Sequence, residues 1–118
     1  MTTTDAWPAQ WLRGVLDLAV LVVVGRGETY GYRISADLQE TGFGVVKGGT
    51  LYPLLARLEE AGDVTATWRE SPSGPGRKWY SITPAGRRRL DQDGAQWRAF
   101  ARLTSEMLPD PIASGGTR

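Results

Sequence analysis

Between Ala9 and Val24, apolar residues recur at helical spacing on two adjacent stripes: Trp11, Val15, Leu18 and Val22 on one, Leu12, Leu16, Ala19 and Val23 on the other. A first helix this broadly apolar is expected to cover its own core and to meet a second surface, such as a partner subunit. Its β-branched end, Val22 to Val24, also allows a strand, but the leucine spacing favours helix. A second helix is expected from Thr29 as N-cap, with Tyr30, Ile34 and Leu38 on one face, an Arg33/Asp37 pair outside and Gly42 as its stop. The clearest pattern is Leu51, Leu54, Leu55, Leu58 and Ala61, ended by Gly62. It predicts a third helix beginning near Thr50, which puts Pro53 in the first turn, where amide hydrogens have no intrahelical acceptor.

Val64, Ala66 and Trp68 then alternate with polar residues, as do Lys78, Tyr80 and Ile82, across a Gly/Pro-rich tip at residues 71 to 76. These are two short antiparallel strands. Thr83 as N-cap and Pro84 at the first helical position open a last helix carrying Leu90, Trp97, Phe100, Ala101, Met107 and Leu108 on one broad side. Three helices closed by a hairpin and followed by a fourth helix make a mainly α, α+β chain with the order of a winged helix-turn-helix and a two-stranded wing. The winged domain spans residues 9 to 83 and the last helix 84 to 108; residues 1 to 8 and 109 to 118 are expected to be flexible tails.

Composition narrows the chemistry. The 118 residues include no Cys and no His, which removes thiolate and imidazole catalysis, disulfides and the usual zinc sites. Adjacent Glu59 and Glu60 diverge on a helix, and Asp91 and Asp93 have no partner in view, so a carboxylate enzyme is not indicated. GRGETYG and KGGT miss the spacing of phosphate-binding loops. The expectation is a non-enzyme that needs no cofactor and no metal. The longest apolar run, Leu18 to Val24, is far shorter than the about 20 residues of a membrane span, and the N-terminus lacks a secretory pattern. A soluble cytoplasmic protein with no membrane partner is expected.

The net charge of +1 conceals a segregated distribution: residues 1 to 41 carry −2, residues 42 to 89 carry +4 and residues 90 to 118 carry −1. The basic middle coincides with the third helix, the hairpin and the start of the last helix, where a winged helix meets phosphates. Of the 14 basic residues 12 are Arg, suited to bidentate contact with phosphate or guanine, although a GC-rich genome gives the same bias.

The blocks GGTLYPLLARLEEAGDV (48 to 64) and SGPGRKWYSITPAGRRRL (73 to 90), preceded by LRGVLDLAVL (12 to 21) and YGYRI (30 to 34), resemble the PadR family of bacterial transcriptional regulators over about residues 9 to 92. The resemblance implies a homodimeric winged-helix protein, usually a repressor, that binds double-stranded DNA at inverted repeats. It also implies dimerisation through the first and last helices and, from the short region after residue 84, the subgroup with one C-terminal helix.

The candidate DNA-binding residues are Tyr32, Lys47, Gly49, Thr50, Tyr52, Arg57, Arg69, Arg77 and Lys78. Thr50 and Tyr52 suit base edges or phosphate, and Lys47 and Arg57 suit phosphate; Gly49, with Gly48, lets the backbone approach it. Plain alternatives are an N-cap at Thr50, core packing at Tyr52, a solvated face at Arg57 and a flexible turn at the glycines. Arg77 and Lys78, with Arg69 opposite, are read as wing contacts or as a charged hairpin edge. Tyr32 rises to a phosphate contact through the family resemblance. Arg87, Arg88 and Arg89 read as a solvated face, and Trp68 and Trp79 as packing. Trp11, Val15, Trp97, Phe100, Ala101 and Met107 are expected at a dimer interface, either dry or forming a pocket for a small aromatic effector. A winged-helix protein-interaction module without a DNA target is the alternative function.

Overall fold

The computed structural model describes residues 7 to 111. Helix α1 (Ala9–Gly25) buries Leu16, Ala19, Val20, Leu21, Val23 and Val24. Its valine-rich end stays helical because it lies in the core among α2, α4 and the sheet, and burial outweighs the modest helix penalty of β-branching. Its first turns are apolar but open: Trp11 is exposed.

The turn after α1 leads into a strand absent from the sequence reading, β1 (Thr29–Tyr30). Thr29 pairs with Tyr80 and Tyr30 with Trp79, so Thr29 is a buried strand residue and the N-cap of α2 (Gly31–Thr41) is Tyr30. Two residues are too few for a period-two pattern to show. Gly42 ends α2 at φ 122°, and the Phe43 amide returns to the Leu38 carbonyl, a bond that satisfies an orphan acceptor of the last turn.

Helix α3 (Gly48–Glu60) starts two residues earlier than expected. Its N-cap is Lys47, whose backbone carbonyl accepts from Thr50 and Leu51 at 2.9 Å, so Thr50 is a helical residue and not the cap. Pro53 consequently lies beyond the first turn. The carbonyl its missing N–H would have served is that of Gly49, which is exposed and can be satisfied by water. Leu51, Leu54, Leu55 and Leu58 are buried as their spacing requires, and with Val20, Leu21, Val24, Ile34, Leu38, Val64 and Tyr80 they form the core.

Strands β2 (Val64–Ser71) and β3 (Gly74–Ile82) run into the expected tip, leaving only residues 72 and 73 between them. The sheet has three strands in the order β1-β3-β2. In α4 (Pro84–Met107) the Thr83 hydroxyl accepts from the Gly86 amide at 2.9 Å, the cap read from the sequence. Only Gly86 is buried along this 24-residue helix. Four helices and a small antiparallel sheet make the α+β winged helix-turn-helix. Residues 1 to 6 and 112 to 118 of the expected tails lie outside the described residues, whereas the Trp7 indole donates to the Gly42 carbonyl at 2.8 Å. Among the described residues no helix is long and apolar enough to cross a membrane.

Candidate nucleic-acid interface

With its leucines buried, α3 turns Gly49, Pro53, Ala56 and Glu60 directly outward, all exposed. Tyr52 and Glu59 flank this face on the wing side, Thr50 and Arg57 on the other. The Tyr52 side chain is half exposed, and its ring lies on Gly31 at the start of α2, where a Cβ would stand 2.7 Å from Cε1, and near Gly48. Tyr52 therefore packs between two glycines and remains half exposed.

Between α3 and the inner face of the hairpin lies a cleft of about 610 Å³, bordered by Tyr32, Tyr52, Trp68, Gly76, Arg77 and Lys78 among others. Tyr32 is 77% exposed and Trp68 60%, which corrects the packing role expected for Trp68. The indole of Trp68 rests on Gly76, where an added Cβ would come within 2.7 Å of it, so one face is fixed and the other opens to the cleft. Trp68 continues the alternation of Val64 and Ala66, which turn to the core, but the hairpin extends past the cover of the core at this point.

The cross-strand register separates the wing cations. Trp68 pairs with Lys78 on the inner face, and Arg69 pairs with Arg77 on the outer one. There Arg77 stacks over Tyr30 at 4.2 Å and Arg69 over Trp79 at 4.9 Å, while the two rings lie 4.8 Å apart. Tyr30 and Trp79 thus anchor the arginines, a role the sequence reading missed because β1 was missing. Arg69 also reaches Glu28 at 2.6 Å, Lys78 reaches Glu59 at 3.5 Å and Arg57 reaches Asp17 at 3.2 Å. Among the described residues Lys47 and Arg77 have no ion pair. Behind the cleft, burial holds the Tyr80 phenol above its ordinary pKa, helped by Glu59 and then Tyr52.

The three arginines at the start of α4 are not a uniform solvated face. Arg88 is exposed, but Arg87 donates to the Gly25 carbonyl at 3.1 Å and Arg89 bridges Asp63 and Asp93. Asp93 therefore has a partner.

A second groove, of about 710 Å³, runs between α1 and α4. It gathers Trp11, Val15, Trp97, Phe100 and Ala101, the residues expected together, and adds Trp7 and Phe43. Trp97 and Phe100 meet at 5.7 Å between ring centroids. Met107 does not join them; it lies near the end of α4, 76% exposed.

The model of the transcriptional regulator PadR-like family matches residues 20–92, well over half of the chain. The chain belongs to the PadR-like family. A transcriptional regulator of Mycobacterium tuberculosis is 34% identical over 99 residues, which is 84% of this chain and 88% of that protein. Among solved structures, a PadR-like transcriptional regulator from Bacillus cereus shares 34% identity with a TM-score of 0.76, covering 86% of this chain and 98% of its own. A Streptococcus transcriptional regulator shares 37% identity, with coverage of 83% and 96% and a TM-score of 0.72. In this PadR-like chain the matched span holds every candidate DNA-binding residue, whereas Trp11, Val15, Trp97, Phe100, Ala101 and Met107 lie outside it.

Proposed function

We propose that this PadR-like regulator is a cytoplasmic homodimeric repressor, non-enzymatic, that seats the first turns of α3 in the major groove of an inverted-repeat operator. The winged domain (9 to 83) binds DNA and the last helix (84 to 108) holds the dimer. Thr50 and Tyr52 meet base edges or phosphate, Lys47, Arg57 and Lys78 meet phosphates, and Gly49 lets the duplex come close. Tyr32 meets the backbone, and Arg77 with Arg69 supports the wing against the adjoining groove. The observation that carries this reading is the cleft between α3 and the hairpin, where exposed aromatic rings and cations border a helix face of Gly49, Pro53 and Ala56 with nothing bulky on it.

The dimer is supported by the side chains of Trp11, Phe100, Leu103 and Met107, exposed on α1 and α4 far beyond what an isolated helix face tolerates. Two-fold symmetry then sets half-sites about 34–36 Å apart. The aromatic walls of the α1/α4 groove suit a small planar effector, which acts by favouring one spacing of the recognition helices over another.

The test is binding to duplex DNA from the region upstream of the chain's own gene, measured against scrambled DNA over a range of salt. Preference for the former with a steep salt dependence is expected. No preference at low salt overturns the reading and favours a protein-interaction module. Titration with planar aromatics, followed by tryptophan fluorescence and DNA release, tests the effector.

A further inference from the structure

Three cations of the candidate interface are already held by carboxylates of this chain. Arg57 Nη2 on α3 lies 3.2 Å from Asp17 Oδ1 on α1, Lys78 Nζ on β3 lies 3.5 Å from Glu59 Oε1 on α3, and Arg69 Nη2 on β2 lies 2.6 Å from Glu28 Oε2 ahead of β1. Each pair joins residues far apart in sequence, separated by 40, 19 and 41 positions. The three carboxylate side chains stay 37 to 40% exposed and their cations 47 to 61%, so solvent reaches both members of each pair.

A carboxylate offers a guanidinium or ammonium the same charge and acceptor oxygens as a phosphate. A DNA phosphate that reaches Arg57, Arg69 or Lys78 must therefore displace an acid or share the cation with it. Either way an acid remains beside the duplex. A cation whose charge is cancelled at short range also contributes less to counterion release, the main electrostatic source of affinity.

We propose that Asp17, Glu28 and Glu59 act as internal phosphate mimics that hold down the affinity of this chain for duplex DNA. The inference rests on the reading of this surface as the DNA interface. Among the candidate DNA-binding residues the acids leave Lys47 and Arg77 as the cations without a competing carboxylate, and binding then depends more heavily on the fit of the α3 face. Removing an acid should strengthen DNA binding, the opposite of what is expected of a pair that only supports the fold.

Asp17→Asn, Glu28→Gln and Glu59→Gln, singly and combined, are titrated in the full chain against a random-sequence duplex over a range of salt, by fluorescence anisotropy. Glu40→Gln, the same charge change at the other end of α2, is the control. Each interface amide should tighten binding by about two- to fivefold, the range of an exposed ion pair, and the triple variant by about tenfold or more. The dependence of log K on log salt should steepen by up to about 0.9 for each freed cation. Thermal melting checks the fold; if the triple variant does not fold, the Glu59→Gln single variant carries the same test. Binding no tighter than that of Glu40→Gln, at an unchanged salt slope, overturns the proposal. If neither the unaltered chain nor the amide variants bind any duplex at low salt, the interface reading itself is overturned, an outcome distinct from the first.

Discussion

Arg89 Nη1 on α4 lies 2.6 Å from the buried carboxylate of Asp63, which follows the last turn of α3. The same junction is tied by the Thr83 hydroxyl to the Gly62 carbonyl at 2.6 Å and by the Thr83 amide to the Asp63 carbonyl at 3.0 Å. Hydrogen bonding to Asp63 raises the Arg89 pKa above the ordinary guanidinium value, outweighing the lowering by burial. Arg89→Met should cost about 2 kcal/mol, the worth of a charge-assisted hydrogen bond whose acceptor is left buried. Adding Asp63→Asn should recover part of that loss, because the stranded charge is then gone. Denaturant unfolding of the two single variants and the double variant measures the coupling.

Gly86 stands against this junction with no room for a side chain: a Cβ would fall on the Asp63 carbonyl oxygen and 2.9 Å from Ile82 Cγ1. Gly94, two turns farther along α4, has nothing within 4 Å of the same atom. Gly86→Ala should therefore destabilise the chain by about 1–3 kcal/mol through overpacking. Gly94→Ala should stabilise it by about 0.5–1 kcal/mol, the helix-propensity difference. Opposite shifts in melting temperature for one substitution at two places in one helix are the expected result.

The leucine spacing of α3, the Thr83 cap and the Gly42 stop were legible because each depends on residues within a turn or two of one another. The first strand was not, since Thr29 and Tyr30 owe their conformation to Tyr80 and Trp79, some 50 positions away. The site follows the same division. The alternation of β2 and β3 already separates Arg69 and Arg77 from Trp68 and Lys78, but that Tyr30 anchors Arg77 and that Asp17 faces Arg57 are products of tertiary packing. The groove brings together Trp11, Val15, Trp97, Phe100 and Ala101 as their helical stripes suggested, but Trp7 and Phe43 join it from outside those stripes, and Met107 does not, because the stripe on α4 outruns the length of α1 it packs against.

Tyr80 couples the core to pH. Its phenol is buried and holds its proton above the ordinary value of 10.0, so the unfolded chain ionises first as pH rises. Its contribution to stability is fully present below that value and is lost as pH climbs through the folded pKa. The decline should reach at most about 1.4 kcal/mol per pH unit for this one proton, and Tyr80→Phe should make it shallower. Denaturant midpoints at about pH 9 and about pH 11 for the two proteins bracket the window in which a tyrosine titrates.

Lys78 and Arg77 are neighbours on β3 that face opposite sides of the sheet, Lys78 towards α3 and Arg77 over the Tyr30 ring. If the cleft is the DNA interface, Lys78→Ala should flatten the dependence of log K on log salt by less than the about 0.9 of a full phosphate contact, because Glu59 already offsets part of its charge. Arg77→Ala should lower affinity with the larger change in slope, up to about 0.9, since no carboxylate offsets its charge, and it also loses the stacking on the Tyr30 ring. Salt titrations of the two single variants separate these roles, and identical slopes would count against the two-sided wing.

Phe100 gives the sharpest test of the proposed dimer. It is 60% exposed on α4, lies beside Trp97 and borders the groove with Trp11 of α1, yet no residue of the helix other than Gly86 is buried within the protomer. A charge placed there costs the isolated protomer little, because the side chain already faces water. The same charge within an apolar contact between two copies would be desolvated without a partner, at a cost of several kcal/mol. Phe100→Glu should therefore leave the melting curve of the monomer intact while shifting the mass seen by light scattering at micromolar concentration from dimer to monomer. Operator binding should weaken in step, since two half-sites are then engaged independently. A dimer that persists in Phe100→Glu would place the subunit contact elsewhere on the molecule.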